Sequence, residues 1–539
     1  MMNTKSLLRT MALCLLAGSL LAQSANAAKN TRARPNSAAP KRSARPISVD
    51  AQMQKALDLG KGGNYEDASI LLYRLLQGPY TPERKMHIRY VLGLMLYELR
   101  LDQVASFQFI EVIRDGNSDY VQKSLEKLSL AANSLNNDML LNFALNKASL
   151  EDFPKIYHDM LYFRIGEIQR KRGAAEEALA SLRKVRPSSE WYPRARYLLG
   201  LTYAEQGKTT EAINAYREIV DHQGDEGVTN PNLVSAQMGI ARTLYQAKKW
   251  DVAIEAYRQI PRDSASWHDA VFEISWTFMQ AAQFRNVLSQ LHSLHSPYYE
   301  DYYLPESVQL RSLVYLYICQ YDEMLKTLNF FDRTYRPIQR KIADLLKTER
   351  SAMRFYTELR QSVKSDLELN DSEASSKADG TNHTVIPRNV ARTIVREGDL
   401  QRSLDYIARL EDEDRRIKRL PSGWRRSSLG TYAEKVVRSR LGNARIVAGR
   451  QVQAHLIRVR KELDDLFEQQ GFARYELARG KKESVQKEIA RKGVERRTVD
   501  QDQSREYYVQ NGFEYWPFQG EYWLDEIGNY QYVGVSSCE

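Results

Sequence analysis

The feature that most constrains this chain is a self-similarity that returns every 34 to 41 residues. Around Gly200 the sequence runs Leu199-Gly200, then Tyr203, Gly207, Ala212 and Tyr216; 34 residues earlier the same frame meets Gly166, Gly173 and Ala178. Further on it meets Trp250, Ala253 and Tyr257, and 34 residues later Phe284, Val287 and Leu291. Taking the residue equivalent to Ala212 as a marker gives Ala68, Ala105, Leu141, Ala178, Ala212, Ala253, Val287 and Met324, spaced by 37, 36, 37, 34, 41, 34 and 37. The long spacing falls where a polar stretch, residues 223–230, is inserted. Three markers are large and Leu141 fits least well, so the array holds six to eight units. A period of this length describes a helical hairpin, in which the small residue lets two helices approach and large ones fill the space beside it. No such unit buries its apolar face alone, so stability accrues between neighbours in a stack. The expected fold is all-α: a superhelical solenoid over residues 50–336, then long helices.

The pattern resembles the tetratricopeptide-repeat (TPR) family over roughly residues 49–336. The resemblance implies stacked antiparallel helix pairs winding into a right-handed superhelix with a concave groove. It implies no particular function, since one fold hosts many. In that family, side chains at positions 2, 5, 9, 12 and 13 of each unit face the groove. Carried over, those positions are Tyr90 and Tyr97 in the second unit and Phe163, Arg170 and Lys171 in the fourth. The fifth supplies Tyr197 and Glu205, the sixth Arg242 and Tyr245, the seventh Phe272, Trp276 and Met279. An aromatic lining with scattered cations suits an extended or helical peptide: rings supply area at low entropic cost and cations set polarity. The two-carboxylate clamp of chaperone-binding TPR domains is not reproduced.

Residues 1–27 read as a secretory signal. Lys5 and Arg9 precede an apolar run at residues 11–21, and Ala25-Asn26-Ala27 offers small residues for cleavage. Leu13, not a small residue, precedes Cys14, which sits early in the apolar run, so the expected product is periplasmic and unlipidated. No later apolar run is long enough to span a bilayer, so no transmembrane span is expected after signal cleavage. Cysteine is confined to Cys14, Cys319 and Cys538, which excludes a disulfide framework and zinc sites needing several thiolates. Cys319 and Cys538 could pair in an oxidising compartment, but Cys319 falls in an apolar helical pattern and reads as core.

The net charge of +10 is unevenly spread. Residues 28–49 carry +6 and no acid, residues 50–386 sum to −3, residues 387–500 to +11, and residues 501–539 to −6. The 28–49 segment is also rich in Pro, Ser and Ala, the composition of a disordered linker. In a Gram-negative envelope its anionic neighbours would be lipid headgroups, lipopolysaccharide or cell wall; a merely solubilising linker is the other reading.

Residues 337–369 read as a capping helix, 370–389 as a linker and 390–500 as long basic helices. Between Arg415 and Arg460 stand thirteen Arg or Lys and one acid, Glu434. Such a helix would suit nucleic acid in a cytosolic protein. The export signal argues against that partner and leaves an anionic surface, an acidic partner helix, or the chain's own acidic clusters at 411–414, 462–468 and the C-terminus. Leu456, Val459, Leu463 and Leu466 form one apolar stripe of coiled-coil type. Residues 513–533 hold eight aromatic rings, and Gly528-Asn529 followed by Tyr530 and Tyr532 reads as a small β-hairpin. Arg425, Arg426, Arg438 and Arg440 with Trp516, Tyr522 and Trp523 form a second candidate docking surface. Trp and Tyr could also stack on sugar rings, which opens a cell-wall or glycan-binding alternative. Four tyrosines in residues 296–305 make either a docking patch or a seal between units.

The aromatic ending, with Tyr303-Leu304-Pro305-Glu306 before the last unit, resembles the TPR component of the adventurous-gliding motility machinery of myxobacteria. The resemblance implies a scaffold in an envelope-spanning complex. Those machines often use lipidated TPR proteins, and the missing lipobox departs from that pattern.

No catalytic set is legible. His292-x-x-His295 is the only His pair at helical spacing, and no Glu or Cys joins it in a metal-binding pattern. There is no phosphate-binding Gly-rich loop and no Gly-x-Ser-x-Gly elbow. Glu176-Glu177 and Asp464-Asp465 fall on predicted exposed faces. The sequence predicts a non-enzymatic envelope scaffold, without metal or cofactor, that binds proteins or peptides at more than one surface.

Overall fold

The computed structural model describes residues 49–115, 119–145, 153, 155–223, 231–299, 302–370, 385–490 and 520–532. The signal, the basic linker before residue 49, most of the inserted stretch 223–230, most of the 370–389 linker, residues 491–519 with Trp516, and Cys538 lie outside them.

Sixteen helices follow one another as A and B partners. They begin with α1 (Val49–Lys61) and α2 (Tyr65–Leu76), α3 (Pro82–Glu98) and α4 (Asp102–Asp115), then α5 (Asp119–Ser134) and α6 (Asp138–Leu145). Next come α7 (His158–Lys171) and α8 (Ala175–Leu182), α9 (Tyr192–Glu205) and α10 (Thr209–Gln223). The last six are α11 (Pro231–Gln246) and α12 (Trp250–Arg258), α13 (Trp267–Gln280) and α14 (Phe284–Leu294), α15 (Pro305–Tyr317) and α16 (Tyr321–Thr348).

Each pair turns on the same backbone device. With the marker counted as position 20, position 15 is left-handed in all eight pairs: Gly63, Arg100, Asn136, Gly173, Gly207, Lys248, Ala282 and Cys319, with φ from 52° to 81°. The N–H of position 16 donates back to the carbonyl of position 11, as Lys208 does to Tyr203 and Gln283 to Phe278, both at 2.9 Å. This satisfies a carbonyl that the end of helix A would leave open. The carbonyl of that same position 16 accepts from the marker, as Lys208 does from Ala212 at 3.0 Å, and so opens helix B. Asn136 puts the third pair in the same frame, although Leu141 is the least typical marker.

Close crossing follows from this register. Ala68, Ala105, Ala178, Ala212, Ala253, Val287 and Met324 are all fully buried. At Gly200 a Cβ would lie 2.6 Å from the ring of Tyr216, which also presses on Gly239 of the next unit. That ring is therefore the spacer between the fifth and sixth pairs.

Beyond Thr348 the chain folds back over the array. Pro337 lies inside α16 without ending it. Then come α17 (Ala352–Asn370), α18 (Arg388–Arg396), α19 (Gly398–Arg419), the single turn α20 (Ser422–Arg425) and α21 (Ser428–Ala490). With 63 residues, α21 is about 95 Å long. Leu429, Ala433 and Val437 near its start enter the core of the first units together with Trp424. Val452, Leu456, Val459, Leu463 and Leu466 share a core with α16–α19, and Ala473 and Leu477 join that of units six to eight. The apolar stripe read from the sequence is thus buried within the chain. None of the helices among the described residues is long and apolar enough to cross a membrane.

Two expectations are corrected. No strand occurs among the described residues, and residues 520–532 run as turns instead of a β-hairpin. Side chains of the array take the place of a partner strand: the N–H of Gly528 donates to Ser293 Oγ at 2.9 Å and that of Tyr532 to Ser289 Oγ at 2.8 Å. Arg262 donates to the carbonyls of Leu524 and Asp525, each at 3.1 Å. Cys319, read as core, is a half-buried turn residue and is disulfide-bonded; its partner lies outside the described residues.

Gly207 isolates the cost of the reversal, because nothing lies within 4 Å of where its Cβ would sit. Gly207→Ala is expected to destabilise the chain by about 1–2 kcal/mol. Lys248→Gly should be neutral or stabilising, since it removes the same steric cost. Thermal unfolding followed by circular dichroism checks both; equal losses at the two positions would show that positive φ is not what they share.

Candidate partner-binding site

The rings assigned to the groove keep one face on the array. Tyr197 is half-buried with its ring 5.7 Å from Tyr216, and Tyr245 lies 5.2 Å from Trp250. Tyr90 sits between Phe109 and Tyr120, at 6.3 and 5.5 Å, and Tyr97 lies under Lys127, whose Nζ is 6.0 Å from the ring centre. Phe163 is buried against Trp191 at 5.2 Å. Phe272, Trp276 and Met279 are partly buried on the core of units six to eight. Phe163 therefore belongs to the core and not to a groove lining, whereas the half-buried rings leave a strip of aromatic surface held rigid from behind.

The cations are engaged by the array itself. Arg170 of α7 pairs with Glu205 of α9 at 2.8 Å. Arg242 of α11 grips Glu273 of α13 at 2.6 and 2.8 Å, and the hydroxyl of Tyr257 donates to the same carboxylate at 2.9 Å. The bonds to Glu273 hold the Arg242 guanidinium above its ordinary value. Lys171 lies 3.8 Å from Glu167 and 3.7 Å from Asp399 of α19. Arg170 and Arg242 stitch unit to unit, so the charges they bring to units five to seven are paired, while Lys171 lies between its own helix and α19.

Sequence reasoning missed how the C-terminal helices enter. Glu167, at position 9 of the fourth unit, receives Arg402 of α19 as well as Arg164 at 3.0 Å. Glu413 of α19 is 2% exposed and accepts the N–H groups of Gln103 and Val104 at 2.9 and 3.1 Å, capping the first turn of α4. Burial nonetheless pushes its carboxyl up to about 8. Burial also raises neighbouring Asp102, against a hydrogen bond from Ser134. Trp424 is fully buried and donates through Nε1 to Ser69 Oγ at 3.0 Å. The only signal was a Trp out of keeping with its polar surroundings; Glu413 is hidden within the acidic run 411–414, and neither residue names its partner some 310 to 355 residues away.

The second candidate surface is divided. Arg425 donates to the carbonyl of Leu420 at 3.1 Å, Arg426 is exposed, Arg438 pairs with Glu434 at 3.1 Å, and Arg440 lies 4.7 Å over Phe107 of α4. Tyr522 instead stacks on His292 of α14 at 5.0 Å, and Trp523 beside it is 46% exposed. The arginines therefore belong with the first units and the aromatic turn with the seventh. The tyrosine-rich stretch at 296–305 is mainly a seal: Tyr303 is buried, Tyr302 stacks on His268 at 3.8 Å, and Tyr299 lies 5.9 Å from Trp267. Burial lowers His292 to about 4 and His295 to about 3, and His295 Nε2 lies 2.8 Å from Ser307 Oγ. Among the described residues, no three His, Cys, Asp or Glu side chains gather as a metal site would require.

The profile of the tetratricopeptide-repeat family matches residues 168–229 and 197–266, which span the fourth to sixth units. The chain carries tetratricopeptide repeats. No curated protein matches its sequence. Among solved structures, the C-terminal part of a TPR repeat-containing protein from Cytophaga hutchinsonii is 18% identical, over 44% of this chain and 95% of that one, with a TM-score of 0.28. A tetratricopeptide repeat protein from Parabacteroides merdae is 12% identical, over 53% and 92%, at 0.23. The apo form of RapI is 10% identical, over 77% and 98%, at 0.30. Scores this low assign neither a partner nor a process.

The Glu413 contact ties stability to pH. Its folded pKa lies above the unfolded value of 4.5, so the folded chain holds the proton more tightly. The stability this contributes is complete below about pH 4.5 and is lost as pH rises through about 8. Burial of Glu462, raised to about 7 with Glu306 beside it, acts in the same direction. Melting temperatures from pH 5 to 9 should fall in the native chain and fall less in Glu413→Gln. Parallel curves would show that Glu413 does not titrate between the two states.

Proposed function

We propose that this chain is an exported, non-enzymatic TPR scaffold that holds protein partners in the bacterial envelope. The observation that carries the reading is the strip of Tyr197, Tyr245, Phe272 and Trp276, whose neighbouring cations are already paired within the array. A lining of this kind takes a peptide or helix by its apolar and aromatic side chains, not by a charged terminus. The signal at residues 1–27 supports a periplasmic, unlipidated product, and a disulfide at Cys319 is in keeping with an oxidising compartment. The turn before α21, with Arg425 and Arg426 exposed, offers a second contact for an acidic partner or an anionic envelope surface. Two modest contacts on one frame raise the effective concentration of what they hold. The resemblance of the aromatic ending to gliding-machinery components makes an envelope-spanning assembly the natural setting. Exposed Trp523 sustains the cell-wall or glycan-binding alternative.

Affinity capture from gently solubilised envelopes tests the reading, with the tagged full chain beside the Tyr245→Ala, Trp276→Ala double variant. At least one co-purifying protein is expected to drop about tenfold or more in the variant. Circular dichroism verifies that the variant is folded. Retention of every partner would remove the groove from the proposal, and recovery of cell-wall fragments alone would favour the glycan alternative.

A further inference from the structure

We infer that α21 is also a self-association element, which pairs antiparallel with α21 of a second copy of this chain. This stands apart from the groove reading, because it rests on the opposite side of the molecule's longest helix. The inward side of α21 is set by Leu456, Leu463, Gln470 and Leu477, all buried and seven residues apart. At 100° per residue the outward side carries Ala454, Ile457, Lys461, Glu468, Phe472 and Tyr475. Ile457 is 53% exposed, and Phe472 and Tyr475 are 67% exposed. One exposed apolar side chain is ordinary; three on a single outward stripe of a helix otherwise packed in the fold mark a contact surface.

Two flanking residues are engaged within the chain, while Asp465 at one edge of the stripe is exposed. Arg458 pairs with Glu397 on one side, and Asp464 accepts from Gln339 at 2.6 Å on the other. Lys461 and Glu468 between them have no ion-pair partner among the described residues. Their arrangement is self-complementary. A two-fold axis passing between residues 464 and 465 sets Lys461 opposite Glu468 of the second copy, Ile457 opposite Phe472 and Ala454 opposite Tyr475. Each contact occurs twice, along about 33 Å of helix. A parallel alignment would oppose Lys461 to itself and Glu468 to itself, so charge selects the antiparallel one. An isologous contact requires each half of a stripe to match the other half; an unrelated partner imposes no such condition.

Sedimentation velocity of the full chain is expected to show a dimer. Lys461→Glu and Glu468→Lys each put like charges at both contacts and should each weaken the dimer about tenfold or more. Mixing equal amounts of the two variants restores opposite charges at both contacts and should return the dimer. Both side chains are exposed, so circular dichroism of each variant should match that of the parent. A parent chain that stays monomeric throughout its soluble range overturns the proposal, as does a dimer that neither substitution weakens.

Discussion

The eight backbone reversals carry everything else in this molecule. In each unit one residue closes helix A with its N–H, and seven of the described units open helix B with the carbonyl of the same residue. Both bonds depend on the left-handed residue just before it. Three of those residues are Gly; the other five, Arg100, Asn136, Lys248, Ala282 and Cys319, accept a conformation that costs about 1–2 kcal/mol for most side chains. The stack can hold such strain because both helices of a unit are pinned by their neighbours, so the turn between them has no freedom left. Burial of the marker five residues later, whether Ala or Met, follows from the same register.

A stack of this kind has two ends, and nearest-neighbour packing leaves both of them uncovered. The chain solves this with its own last third. Trp424 and the first turns of α21 enter the core of the first units, and Ala473 and Leu477 enter that of units six to eight. One continuous helix therefore braces the array at both ends. The arrangement also decides what the groove can offer. Arg402 satisfies Glu167 in the fourth unit, while Arg242 and Glu273 close on each other further along. Beyond the fourth unit the candidate strip is aromatic with Arg170 and Arg242 already paired, which under the proposed function favours a ligand recognised by its apolar side chains.

The helical array was legible in the sequence because its determinants are local. The position of Ala212 relative to Gly207, or of Met324 relative to Cys319, is set by one turn and repeats along the chain. A fixed frame also assigns each residue a face, and that nomination of candidate groove rings was legible in the sequence. Their electrostatics were not. Arg170 and Arg242 carry the same charge in the sequence whether they meet a ligand or a carboxylate some 31 to 35 residues away. The hairpin failed differently: alternating Tyr530 and Tyr532 around Gly528 suits a strand, but Ser289 and Ser293 satisfied its backbone first.

By itself, then, the sequence determined a helical repeat of six to eight units and its register, which act over about forty residues, and it nominated an aromatic set for the inner face. Only the tertiary structure decided that Glu413 caps α4, that Trp424 bonds Ser69, and that the C-terminal turn rests on α14. Those contacts join segments hundreds of residues apart. A buried carboxylate or indole shows in sequence only its need for a partner; which group meets that need depends on where the superhelix brings the chain back upon itself.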